Sequence, residues 1–308
     1  MQADLASLRN NPRRAVAYSL AAAFLLTTMD AVVKWLTTDY SVVQIAFLRY
    51  AIGLFIAIGL AGASPAGLGG LVTRRPASHL WRSAFNIATM ITFYLAMRAI
   101  PLANAVCISL ASPIFMTLFS IPMLREKVPV DRWVAVFLGF VGIALIVQPA
   151  PDAGVGTGAL LALVSAVTWS LTLVSSRRLS SSESSHTILF YYALTVVISL
   201  GGTLLLFPSL WHLPMNARDI GFFALTGLLG SFGQFFLNQA YRYGPISLLA
   251  PFEYSGMIWA VLFDIAIWSN FPSLVMVLGA LIVIGCCLHI ARSSSRSKRQ
   301  EAEQELSS

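Results

Sequence analysis

The chain has 308 residues, of which 57% are hydrophobic and only 11% charged, with a mean hydropathy of +0.76. A soluble domain carries about 25% charged residues, so this composition excludes a soluble globular enzyme and points to a polytopic membrane protein. The formal charge of +7 does not call for nucleic acid, because the basic residues stand in short loops between apolar runs, the pattern that orients a membrane protein.

A helix crosses the hydrocarbon with about 20 apolar residues. Ten such helices are predicted, at roughly 14–36, 42–61, 78–98, 104–123, 130–148, 156–176, 187–207, 218–240, 246–268 and 272–291. The third and the eighth carry the most polar residues and lean on the internal repeat for support. The first dozen residues are polar, and the run that follows lacks an A-x-A cleavage site, so it reads as a retained helix. Cys107, Cys286 and Cys287 fall inside apolar runs and read as small packing residues.

With the N-terminus placed in the cytoplasm, sixteen of the twenty basic residues fall on the cytoplasmic side. They include Arg13, Arg14, Arg74, Arg75, Arg125, Lys127, Arg177 and Arg178, and the basic start of a Ser-, Lys- and Glu-rich tail from Arg292. Lys34, Arg98 and Arg218 fall on the other side, and Arg49 lies within the second helix. The bias supports both the count and the orientation.

The sequence repeats itself. Shifted by 144, YLAMRAIPLANA (94–105) lies over NQAYRYGPISLL (238–249), matching Ala96 to Ala240, Arg98 to Arg242 and Pro101 to Pro245. Each copy is followed by an apolar helix with a glycine in a similar place, Gly142 and Gly285. Ten helices in two copies give five each, and an odd number inverts the second copy relative to the first. Inverted repeats with a midplane site between them are a transporter architecture. The expected organisation is a cytoplasmic N-terminus (1–13), a first five-helix repeat (14–148), a linker (149–155), a second, inverted repeat (156–291) and a cytoplasmic tail (292–308).

Ionisable groups inside a membrane are costly, so each is a functional candidate. Glu253, about 10 Å into the ninth helix at 1.5 Å per residue, is the candidate for proton coupling or a substrate amine; the alternative is a protonated acid bonded to a neighbouring helix. Asp30 and Lys34, four apart on the first helix, read as a structural charge pair, with Arg49 seeking Asp30 or another acid. Asp264 is expected to reach headgroups or water. Asn86 and Tyr94 on the third helix, Trp169 on the sixth, and Gln234 and Asn238 on the eighth are candidate substrate contacts, because amides and aromatics at related places in both copies suit a cavity with a few polar groups. Their alternative reading is helix–helix hydrogen bonding and packing. Gly227, Gly230 and Gly233 thin one side of the eighth helix, and Pro113 is expected to kink the fourth. No P-loop, H-E-x-x-H or G-x-S-x-G is present, and the four histidines are scattered. The chain is therefore read as a non-enzyme, with no metal or cofactor.

DAVVKWLTTDYSVVQIAFLRY (30–50) and YLAMRAIPLANAVCISLASPIFMTLFSIPMLREKV (94–128) resemble the drug/metabolite transporter superfamily in its EamA-type ten-helix branch. Arg49, Pro113, Leu124, Glu126, Gly139 and Gly142 carry the resemblance, which covers about 14–291. In the second copy Asn270 stands for Glu126 and Met257 for Pro113. Within the superfamily the chain is most similar to bacterial amino-acid exporters of the YddG type. The resemblance implies a basket of ten helices around a central cavity. The expectation is a multi-pass protein of the bacterial inner membrane that exports aromatic and other neutral amino acids by alternating access, as a monomer or weak oligomer. Another small metabolite or a drug-like cation is the alternative substrate, and an intramembrane lipid enzyme a remote one.

Overall fold

The computed structural model describes residues 12–62, 67–73, 75–112, 114–116, 118–119, 130–147, 156–180, 185–213, 217–243, 252, 254–286 and 288–289. Glu253, Pro113, Leu124, Glu126, Cys287 and the side chain of Asn238 lie outside the described residues, as do 1–11, 149–155 and 292–308.

Ten helices account for the described chain. They are α1 (Pro12–Leu36), α2 (Val42–Gly62), α3 (Pro76–Ala99), α4 (Leu102–Ser109), α5 (Val130–Val147), α6 (Thr157–Ser180), α7 (Ser185–Leu206), α8 (Ala217–Tyr243), α9 (Ser255–Trp268) and α10 (Leu274–Cys286). Their starts follow from sequence chemistry. Ser41 Oγ accepts the N–H of Gln44 at 3.1 Å, and Ser273 Oγ accepts that of Met276 at 3.1 Å, each meeting a donor the first turn leaves unpaired. Pro76 opens α3 at a position that needs no N–H.

Among the described residues, five helices are long and apolar enough to cross a membrane by themselves: α1, α2, α6, α7 and α8. The eighth thus stands without help from the repeat, whereas α3, with His79, Arg82, Asn86 and Arg98, does not. The fourth helix departs most from expectation. Its first segment ends at Ser109, a turn follows in which Ala111 N–H reaches back only three residues, to Ile108 O, at 3.1 Å, and the described residues between Ser112 and Phe119 are helical again. Pro113 explains the break from sequence, since it has no N–H to offer the Ser109 carbonyl.

The helix contacts form a closed ring of eight: α1, α8, α2, α7, α3, α6, α4, α9 and back to α1. This order is unchanged when the helices of the two halves are exchanged, α1 for α6, α2 for α7, α3 for α8 and α4 for α9. The second half is inverted, because α6 begins where α1 ends. Gly158 at the start of α6 packs on Ala99 and Ile100, and the Ile100 carbonyl accepts a hydrogen bond from Lys34 near the end of α1. The chain is thus an all-helical polytopic membrane protein made of two inverted halves.

Helices α5 and α10 lie outside the ring. A Cβ on Gly142 would stand 2.9 Å from Gly279 O, and one on Gly279 would stand 2.7 Å from Gly142 O, so the two backbones touch through paired glycines. Small residues at such crossings are the usual means of packing helices in lipid. Gly285, which the repeat singles out, faces open space instead. Phe55, Phe137, Ile198, Ile258 and Leu281 are exposed on the outward sides of five helices, as a lipid-facing belt requires.

Candidate substrate site

Among the described residues, the largest fully buried side chains gather toward one end of the ring, the face where α1, α3 and α9 end and α2, α4, α6, α8 and α10 begin. Leu36, Val33, Ile45, Tyr94, Met97, Leu102 and Ile108 are among them. This Lys34 face is also tied by polar contacts. Tyr40 Oη donates to Asp219 Oδ2 at 2.7 Å, Ser41 Oγ donates to Leu210 O at 2.6 Å, and His212 N–H donates to Gln44 Oε1 at 2.9 Å.

Deeper in the ring, Arg49 on α2 donates to Tyr94 Oη on α3, and its Cζ lies 4.7 Å from the centre of the Tyr50 ring. A Cβ on Gly230 of α8 would stand 2.8 Å from Arg49 Nε and 3.1 Å from Nη2, so the guanidinium rests on bare backbone. The glycine stripe continues along α8, with Gly227 against Ile52 of α2 and Gly233 against Leu26 of α1. The thin side of α8 is therefore a docking face for α1 and α2, and it opens the space that Arg49 occupies. Asp30 on α1 is half-buried and within electrostatic range of Arg49.

A second polar group adjoins the first. Tyr192 Oη on α7 lies 2.7 Å from Tyr50 Oη and 2.9 Å from Asn86 Oδ1. A phenol has one proton, so the chain of donors runs from Tyr50 to Tyr192 to Asn86. Arg82 stacks over Tyr192 with its Cζ 5.5 Å from the ring centre. Five helices from both halves thus meet in one polar cluster. A guanidinium carries five N–H donors in a planar fork suited to a carboxylate. Tyr94 is the one hydrogen-bond acceptor that Arg49 has among the described residues.

The structure joins some of the sequence candidates and separates others. Asn86 and Tyr94, eight apart on α3, both enter the cluster and are buried. Gln234 is half-buried one turn from Gly230 on the same side of α8, next to the cluster. Trp169 is half-buried on α6. Its neighbour Thr168 meets Thr89 of α3, Oγ1 to Oγ1 at 2.9 Å.

The charged residues regroup. Lys34 does not take Asp30 as its ion-pair partner. Its Nζ lies 3.6 Å from Asp264 Oδ1, while Asp30 faces Arg49. Asp264, expected to reach headgroups or water, is only 1% exposed, and its Oδ2 accepts the Ala103 N–H at 2.6 Å. The reason is the start of α4, whose unpaired N–H groups need an acceptor and favour negative charge. Sequence reasoning missed Tyr50, Tyr192 and Arg82. The phenols sit in apolar runs with nothing to mark them, and Arg82 is one of the sixteen basic residues that the orientation assigns to the cytoplasmic side.

Comparison with known proteins agrees with this architecture. The EamA-like transporter family matches the chain twice, over 13–148 and 156–292. A riboflavin transporter from Rhizobium johnstonii is 28% identical over 299 residues, 96% of this chain and 98% of that one. A pseudopaline exporter from Pseudomonas aeruginosa is 25% identical over 284 residues, 90% and 96% of the two chains. An S-adenosylmethionine uptake transporter from Rickettsia prowazekii is 24% identical over 275 residues, 89% and 91%. A crystal structure that is 21% identical shares the fold, with a TM-score of 0.64 over 91% of this chain and 98% of that one. The chain belongs to the EamA-like transporter family.

Proposed function

We propose that the protein is a secondary transporter of small metabolites that bear a carboxylate, and that neutral amino acids, aromatic ones included, are its substrates. One observation carries this reading. Arg49 lies where α1, α2, α3 and α8 of the two halves meet, with a phenol as its hydrogen-bond acceptor among the described residues. A substrate carboxylate would use the guanidinium donors that Tyr94 leaves over. Asn86, Tyr94 and Gln234 supply the polar contacts, and the apolar lining of the ring accepts an uncharged side chain. Trp169 and Asn238 are further candidates, and Glu253 remains the candidate proton-coupling group.

The relatives carry substrates of different names in different directions, which supports small-molecule transport without choosing among them. We place the N- and C-termini in the cytoplasm of a bacterial inner membrane on the basic-residue bias, which puts the Lys34 face outside. Export proceeds by alternating access, with the two halves rocking about the central cluster. A cationic centre argues against a drug-like cation as the substrate.

The test is flux of labelled phenylalanine, and of a panel of other amino acids, into liposomes holding the purified protein. Saturable flux competed by other neutral amino acids is expected. Absence of flux across the panel, from folded protein, would overturn the amino-acid reading.

A further inference from the structure

We infer that Lys34 and Asp264 form the outer gate of this transporter, an ion pair that must part before the ring opens on that face. The inference rests on the transport reading and on the orientation given above. The pair joins the two halves, since Lys34 is on α1 and Asp264 on α9. Lys34 Nζ donates to Ile100 O at 2.9 Å and lies 4.8 Å from the centre of the Trp268 ring. Asp264 Oδ2 accepts from Ala103 N–H at the start of α4, and its backbone carbonyl accepts the Asn270 N–H at 3.0 Å. One ion pair therefore holds α1, α4 and α9 together where the ring closes on itself.

The contact is built to part. Lys34 Nζ stands 3.6 Å from Asp264 Oδ1, beyond hydrogen-bond distance, and Oδ1 is buried without a hydrogen-bond partner. The pair is held by charge, in a place where neither group is well hydrated. A cleft of about 20 Å³, lined by Pro101, Asn104, Asp264, Asn270 and Phe271, reaches the acid. That is the size of one water, so opening begins where solvent already has room. Buried ion pairs add little net stability but oppose states that strand one partner. Parting them is tolerable only when water takes both charges, which is the open state.

The sequence repeat does not carry the pair into the other copies of these helices. Shifted by 144, Lys34 falls on Arg178 and Asp264 on Ser120. The cation is kept and the acid is not.

The experiment places a reporter in the cleft, Asn104→Cys, in a background of Cys107→Ala, Cys286→Ala and Cys287→Ala. A membrane-impermeant maleimide is added outside intact cells, and the rate of labelling is measured with the gate intact, with Asp264→Asn and with Lys34→Gln. Asp264→Asn keeps an acceptor for Ala103 and removes only the charge; Lys34→Gln serves if the first variant does not fold. Labelling is expected to accelerate about tenfold in either folded variant, as the population shifts toward the outward-open state. Unchanged labelling in a folded variant overturns the gate. Because labelling needs no substrate, acceleration without flux of any panel compound supports the gate while overturning the amino-acid reading.

Discussion

The Lys34 face and the Arg49 cluster hold the same kinds of group, a buried cation, acids and aromatic rings, and use them differently. At the face, Lys34 meets Asp264 while Asp264 caps α4 and Lys34 caps the end of α3. Lys34 and Asp264 each answer the other's charge and a helix end. In the cluster, Arg49 is bonded to a phenol, stacked on a second and set on a bare glycine, with its acid only within electrostatic range. The first arrangement closes a structure. The second leaves donor capacity over. In lipid, where an unmet polar group costs several kcal/mol, spare capacity at the meeting of two halves is what a substrate site requires.

The sharpest way to break this contrast is to remove the central cation. Arg49→Met should lower phenylalanine flux about 100-fold, the scale of losing a charge-assisted bond. Arg49→Lys should restore only part of it, because an ammonium cannot bond Tyr94, stack on Tyr50 and grip a carboxylate at once. Flux at fixed protein content in liposomes, with melting in detergent as the control for folding, checks both.

Overfilling comes next. A methyl on Gly230 must displace the guanidinium, whereas one on Gly279 must part α5 from α10 outside the ring. Each should cost about 1–3 kcal/mol of stability by overpacking. Gly230→Ala should also raise KM several-fold, while Gly279→Ala leaves KM unchanged. Thermal melting and saturation curves on the two variants separate site from scaffold, and equal KM effects would erase the distinction.

The smallest effects belong to hydroxyls. Tyr192→Phe breaks the donor chain between Tyr50 and Asn86 and should cost about 1 kcal/mol in stability, with a modest rise in KM. Thr89→Val removes a bond between α3 and α6 outside the cluster and should cost about 0.6 kcal/mol, with no kinetic change. Melting series and uptake curves on the pair test whether Tyr192 belongs to the site.

Much of the fold could be read from the chain. Apolar runs of bilayer length set the helices, and the match of 94–105 to 238–249 gave the two halves their inverted relation. What escaped was whatever depended on which helix lies beside which. Asp30 and Lys34 share one face of α1, so the sequence joined them, but the ring brings Lys34 to α9 and Asp30 to α2. Gly142 was visible only as the positional match of Gly285 in the repeat, and the backbone it meets is that of Gly279. Tyr50 and Tyr192 lie 142 residues apart and gain meaning only from the contact of α2 with α7. Asn86 stood out as a candidate because an amide is rare on an apolar helix, and Tyr94 because it lies over Asn238 under the shift of 144.

The most direct measurement is competition for labelled phenylalanine flux by two unlabelled compounds in proteoliposomes, leucine and phenethylamine. Phenethylamine keeps the ring and the amine of phenylalanine and lacks only the carboxylate. If Arg49 receives that carboxylate, leucine competes and phenethylamine does not. Competition by phenethylamine as strong as that by leucine would contradict a carboxylate site at Arg49.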